Sequence, residues 1–209
     1  MSQDNWSMSV VIPTILEEDK RGNRVPYDIF SRLLKDRIVF LHGTITQESA
    51  ANVIAQLLYL EKEDHKTPVQ LFIMSPGGAI QPGMAIIDTM HHIKPPVYTV
   101  GIGQIASMAS IIAAAGEWGH RYLLPHTSVM IHQPWINGLD RVNTSELVAT
   151  AQMLDRLKEE IIRMLAKYTE NTITAIRKAI EVDKWMTAQE AIDFGLADEI
   201  IYKNKRYAR

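Results

Sequence analysis

Short, nearly unbroken apolar blocks alternate along the first two thirds of the chain with segments whose apolar residues return at helical spacing. The blocks at 37–41 (RIVFL), 69–74 (VQLFIM) and 97–102 (VYTVGI) read as short buried strands. Between them, 46–60 carries Ala50, Val53, Ile54, Leu57 and Leu58 at the helical period, and 83–93 also reads as helix. The pair Gly77-Gly78 ends the second strand in a turn, and 20–23 (KRGN) reads as another turn. Residues 106–115 form an expected helix of small side chains, followed by two short strands at 122–124 and 128–131. Strand–helix alternation on near-continuous apolar strands predicts an α/β core whose strands are covered on both faces. No internal repeat or low-complexity linker interrupts the pattern, so 1–209 is expected to be one domain, with 1–10 a flexible or processed N-terminus.

The second half changes character. A long helix is expected over 143–168, where Leu147, Leu154, Ile161 and Tyr168 recur every seven residues with Leu157 and Met164 between them. Such a stripe fits a seam between subunits, and equally a helix lying on its own core. The helix is long for a chain of this size, which favours the seam. Downstream, Thr187 and Glu190 have capping-box spacing for a helix over 188–194, which Gly195 then stops.

Composition narrows the function. A chain of 209 residues buries roughly 70% of its unfolded surface, enough for a sizeable core. The formal charge of −2 argues against binding nucleic acid through phosphate neutralisation. The absence of cysteine excludes disulfides, a thiolate nucleophile and thiolate metal sites. No apolar run reaches the ~18–20 residues of a membrane span, and the N-terminus lacks the basic start and apolar stretch of a signal peptide. A cytoplasmic protein without membrane or nucleic-acid partners is therefore expected.

Four features carry candidate chemistry. Ser107 stands after an apolar strand at a helix start, among small neighbours, where free N–H groups can meet an oxyanion. Gly77-Gly78 directly follows a strand and can aim backbone N–H groups at a carbonyl oxygen. His132 ends the strand at 128–131, and Asp183 opens the run DKWMTAQEA. Taken singly, each has an ordinary structural role: an N-cap serine, a turn, a strand-end histidine and a solvated charge. No histidine pair has metal-ligand helical spacing beside a carboxylate, so no metal is expected.

Together the features match a family. The pieces are 27–37 (YDIFSRLLKDR), Ser75-Pro76-Gly77-Gly78, Gly103-Gln104 with Ala106-Ser107-Met108, 130–134 (MIHQP), and Asp183 followed by Glu190-Ala191 and Phe194-Gly195-Leu196. In this order and spacing, from about Val11 to Tyr202, the chain resembles the proteolytic subunit of the Clp protease, a self-compartmentalised serine peptidase. The resemblance implies Ser107 as nucleophile, His132 as general base and acid, Asp183 as the orienting carboxylate, and the Gly78 and Met108 N–H groups as the oxyanion hole. It implies an α/β fold of crotonase-like core with the long helix projecting as a handle. Rings of seven subunits would stack handle to handle around a chamber that takes unfolded protein from a separate AAA+ unfoldase. The chain has no GxxxxGK[ST] loop, so ATP would be used only by that partner and no cofactor is expected here. Phe72, Val100, Ile102, Tyr122, Leu124 and Ile201 match its docking pockets, and Asn137 and Gly138 its substrate-pairing strand.

The sequence departs from the family at several of these places. The segment 135–138 (WING) is longer than in many members, and Asn137 replaces a glycine. Val182 stands where many members have an arginine that helps lock the rings, and Gln70 and His92 are polar at docking positions. Met74 and Ala109 replace a usual asparagine and glycine. These departures suggest a divergent paralogue working beside a second, more typical subunit. Two other readings compete. A structural ring subunit would supply walls and docking surface with little turnover. A crotonase-type acyl-CoA hydratase or isomerase would share an oxyanion hole but typically rely on a carboxylate rather than a Ser–His pair.

Overall fold

The computed structural model describes residues 12–18, 21–136 and 141–202. Strands β1 (Thr14–Glu18) and β2 (Arg24–Asp28) form an antiparallel hairpin whose residues alternate between exposed and half-buried. Gly22, at φ 82°, lies in its turn. Asp28 ends β2 and caps helix α1 (Ile29–Lys35), accepting from the N–H groups of Phe30 and Ser31 at 3.0 Å each.

The main sheet begins with β3 (Ile38–His42), β4 (Val69–Ser75) and β5 (Val97–Ala106), separated by α2 (Gln47–Glu63) and α3 (Ile80–His92). Helix α4 (Met108–Ala114) follows β5 directly, and β6 (Arg121–Leu123) and β7 (Ser128–Ile131) come next. Strands β3 to β6 run parallel in the order β3-β4-β5-β6, continued by β9 (Glu199–Ile200). The register between β4 and β5 slips between the pairs Ile73–Gly101 and Ser75–Ile105, with Gly103 at φ 62°. This irregularity bends β5, so its end leaves β6 and pairs with β7 instead. Expected helix 106–115 thus starts two residues later, because Ala106 is still strand.

The sheet is not covered alike on its two faces. Val39, Leu41, Val69, Leu71 and Ile73 point under α2, α3 and α4 and are at most 1% exposed. The alternate residues Phe40, Gln70, Phe72, Tyr98, Ile102 and Tyr122 are only half-buried, and Met74 is 53% exposed. Helix α1 shields the β3 end of that face, with the Phe30 and Phe40 ring centroids 5.6 Å apart. The expectation of two covered faces is corrected here. The second face is aromatic and aliphatic, so the strands read as continuous apolar runs although one side is half open.

Helix α4 is buried at all seven positions, as its small side chains Ala109, Ser110, Ala113 and Ala114 permit. Helix α5 (Thr144–Thr169) opens with a capping box between Asn143 and Glu146. Its seven-residue stripe divides. Ile161 is buried in the core together with Ile162, Leu165 and Thr169, which lie off the stripe, whereas Leu147 is 49% exposed, near the similarly exposed off-stripe Val148 and Met153. Short elements complete the chain: α6 (Ile173–Ala179), β8 (Lys184–Met186) and α7 (Ala188–Asp193). No helix among the described residues is long and apolar enough to cross a membrane.

A buried ion pair ties the far end of the sheet together. Arg121, 2% exposed, donates to Asp198 through Nε at 2.9 Å and Nη2 at 2.5 Å, and its Nη1 reaches the Tyr168 carbonyl at 2.6 Å. Trp118 lies over the guanidinium, 4.3 Å from ring centroid to Cζ. Burial pushes the Asp198 carboxyl up, but the Arg121 hydrogen bonds and charge outweigh it and hold the group below its ordinary value. A carboxyl depressed in the folded state contributes stability above its unfolded value, near 3.9, that is lost as pH falls through the folded value. Asp198→Asn is therefore expected to cost about 2–3 kcal/mol at neutral pH and less as pH falls below about 4. Urea unfolding of both forms from pH 6 to pH 3 measures the two slopes, and parallel curves would refute the assignment.

Candidate active site

Ser107 occupies the single-residue junction between β5 and α4 with φ 57° and ψ −127°, a conformation that costs a non-glycine residue about 1–3 kcal/mol. Its N–H donates to the Met130 carbonyl at 2.9 Å, and its own carbonyl accepts from the Ser110 N–H at 3.1 Å and the Ser110 hydroxyl at 2.6 Å. The same hydroxyl lies 2.9 Å from the Met130 carbonyl. Backbone and Ser110 together hold the strained turn. The ordinary N-cap role fails here, because the Ser107 side chain makes no capping hydrogen bond. Its Oγ instead lies 2.8 Å from Nε2 of His132.

Strand pairing explains how distant residues converge. Parallel pairing of Ala106 with Met130 sets the end of β5 beside β7, which brings Ser107 alongside His132. Antiparallel pairing of Ile131 with Lys184 places the next positions, His132 and Asp183, opposite each other. Across 51 residues of sequence, His132 Nδ1 and Asp183 Oδ1 come within 3.2 Å. The His132 side chain is 13% exposed and that of Asp183 60%.

The glycine pair sits against the same turn. Gly77 has φ 93°, and a Cβ there would lie 2.6 Å from both the Ala106 carbonyl oxygen and Ser107 Cβ, so only glycine allows this approach. The Ile45 N–H donates to Gly77 at 2.8 Å, and the Ala79 N–H donates to Ile45 at 2.9 Å. This bridge uses the groups on either side of Gly78 and turns the Gly78 N–H away from Ile45. Met108 opens α4, so its N–H belongs to the first turn, which has no intrahelical acceptor. Both N–H groups are free of acceptors among the described residues. No cluster of three or more metal-ligating side chains occurs among the described residues.

A family model for Clp protease matches residues 20–204, most of the chain. The chain belongs to the Clp protease family. The matched span takes in every element from β2 to β9, and with them Ser107, His132 and Asp183. The family is one of peptidases.

Other expected positions fall unevenly. Asn137 and Gly138 lie outside the described residues, whereas neighbouring Trp135 and Ile136 are 59% and 41% exposed. Phe72, Val100 and Tyr122 align in one row across β4, β5 and β6. Hydrogen bonds from Leu124 to Gly101 and from Ile201 to Leu123 continue the strand ends, so Leu124 lies between Ile102 and Ile201 in the order β5-β6-β9. Val100 shares that row but is only 4% exposed, unlike the half-buried Phe72 and Tyr122 beside it. Val182, beside Asp183, is 74% exposed. Sequence reading missed Ser110, whose only signal is its position one helical turn after Ser107. It also assigned no role to Gln133 or Lys158.

Proposed function

We propose that this Clp protease family chain is a serine endopeptidase subunit in which Ser107 is the nucleophile. With Nδ1–H directed at Asp183, His132 Nε2 takes the proton as Ser107 Oγ attacks the scissile carbonyl carbon. The Gly78 and Met108 N–H groups receive the developing oxyanion. His132 then protonates the departing amine, leaving an acyl-enzyme on Ser107. Water, deprotonated by the same imidazole, hydrolyses that ester and restores the serine. No cofactor enters these steps.

The observation that carries the reading is the unbroken Ser107–His132–Asp183 hydrogen-bond chain, at 2.8 Å and 3.2 Å, on a serine that caps nothing. Two further features support a larger assembly. The half-open sheet face, with Phe72, Ile102, Tyr122, Leu124 and Ile201, suits docking of a separate AAA+ unfoldase. The exposed first half of α5, with Leu147, Val148 and Met153, suits a handle between two rings of seven subunits. Val182 offers no ion pair to that contact, which favours mixing with a second paralogue. Unfolded polypeptides in the cytoplasm are the proposed substrates.

Labelling with a fluorophosphonate probe, followed by peptide mass mapping, tests the reading. The phosphonyl group is expected on Ser107 and absent from a His132→Ala variant. An unlabelled but folded protein would return the field to the structural-subunit and acyl-CoA readings.

A further inference from the structure

Asp183 is 60% exposed, and among the described residues its carboxylate meets one side chain, His132. Its alignment therefore depends on whatever holds the backbone around it. On one side the Ile131–Lys184 strand pairing holds that backbone; on the other it is fastened by Gln133, the residue after His132. The Gln133 N–H donates to the Ile180 carbonyl at 2.9 Å, and its side-chain Nε2 donates to the Glu181 carbonyl at 3.1 Å. Its Oε1 accepts from Lys158 Nζ at 2.9 Å. An ammonium can only donate and a carbonyl can only accept, so these two neighbours fix which way the amide faces. One side chain thus joins the strand end carrying His132, the loop carrying Asp183, and the part of α5 that packs on the core.

We infer that Gln133, oriented by Lys158, is a positioning residue that holds the Asp183 carboxylate in register with His132 Nδ1. The inference rests on the serine-peptidase reading and adds residues whose hydrogen bonds go to Ile180, Glu181 and each other rather than to the side chains of Ser107, His132 or Asp183. Gln133 acts through Asp183, so its effect should vanish when Asp183 can no longer orient the imidazole. A side chain that merely stabilises the fold would not behave this way.

The test is a mutant cycle on the full chain in its assembled form, read by kcat and KM on a fluorogenic peptide and by the rate of fluorophosphonate labelling. Gln133→Ala is expected to lower kcat about ten- to a hundredfold with KM within about twofold, well short of the roughly 10⁴ of losing the carboxylate itself. In an Asp183→Asn background the same substitution should change the labelling rate by less than about twofold. Lys158→Met should give a smaller loss that disappears on top of Gln133→Ala. Gln133→Glu keeps an acceptor for Lys158 but loses the donor to Glu181, and should resemble Gln133→Ala. Gln133→Glu and Lys158→Met nearly preserve side-chain size, so they carry the test if Gln133→Ala fails to assemble. An unchanged kcat, or a full loss repeated in the Asp183→Asn background, overturns the positioning role. If wild type is labelled at Ser107 while Gln133 variants are indifferent, only this inference fails; if wild type is not labelled at Ser107, the peptidase reading fails with it.

Discussion

Ser107→Ala is expected to lower kcat for peptide cleavage by about 10⁶ while leaving the fold intact. The substitution removes only Oγ. The contacts that hold the turn run through the Ser107 N–H and carbonyl, to Met130 and Ser110, and survive it. Alanine keeps the φ of 57°, so the local strain is unchanged as well. His132→Ala should cost a similar factor, because the base has no function without the oxygen it deprotonates. The double variant should be no worse than either single one, since residues acting as a unit are not additive. Turnover of a short fluorogenic peptide, free of any need for an unfoldase, measures all three. Residual activity within tenfold of wild type in Ser107→Ala would remove Ser107 from the chemistry, whatever its distance from His132.

The parts of this site differed in how far they could be read from the chain. Long apolar blocks marked β3, β4 and β5 and the helices between them, because burial of many residues leaves a strong periodic signal. The placement of Ser107 at a strand–helix junction followed from the same pattern. Its backbone conformation did not, because serine is also a favoured N-cap, and only a positive φ separates the two roles. The meeting of His132 with Asp183 was hidden for another reason. It depends on β8, three residues in length, which is too short to display an alternation. Helices α1 and α6, each of seven residues, and the half-exposed hairpin were missed on similar grounds. Resemblance to a family supplied what periodicity could not, by pairing His132 with Asp183 across that gap. The seven-residue stripe of α5 misled in part, since a regular repeat does not say where the core beneath it ends. Beyond about Leu154 towards its N-terminus, nothing among the described residues covers the apolar side chains that share the pattern.

Gly78→Ala should reduce kcat by about 10²–10³, the usual cost of one oxyanion donor, although it alters no polar group. A Cβ at position 78 would lie 2.4 Å from the Ile45 carbonyl oxygen and 2.7 Å from the Ile45 nitrogen. Both are backbone atoms, and both belong to the bridge that orients the glycine pair. Neither can rotate aside as a side-chain tip would, so the bridge must open and the Gly78 N–H must turn from the oxyanion position. The native φ of 150° is in addition one that alanine rarely adopts. A displaced oxyanion donor acts on the transition state more than on bound substrate, so the loss should fall on kcat with KM little changed. Fluorophosphonate labelling should slow in parallel, since its phosphoryl oxygen needs the same donors. A variant that melts normally and cleaves peptide at the wild-type rate would show that the donor lies elsewhere, and would leave Met108 as the only proposed N–H facing the nucleophile.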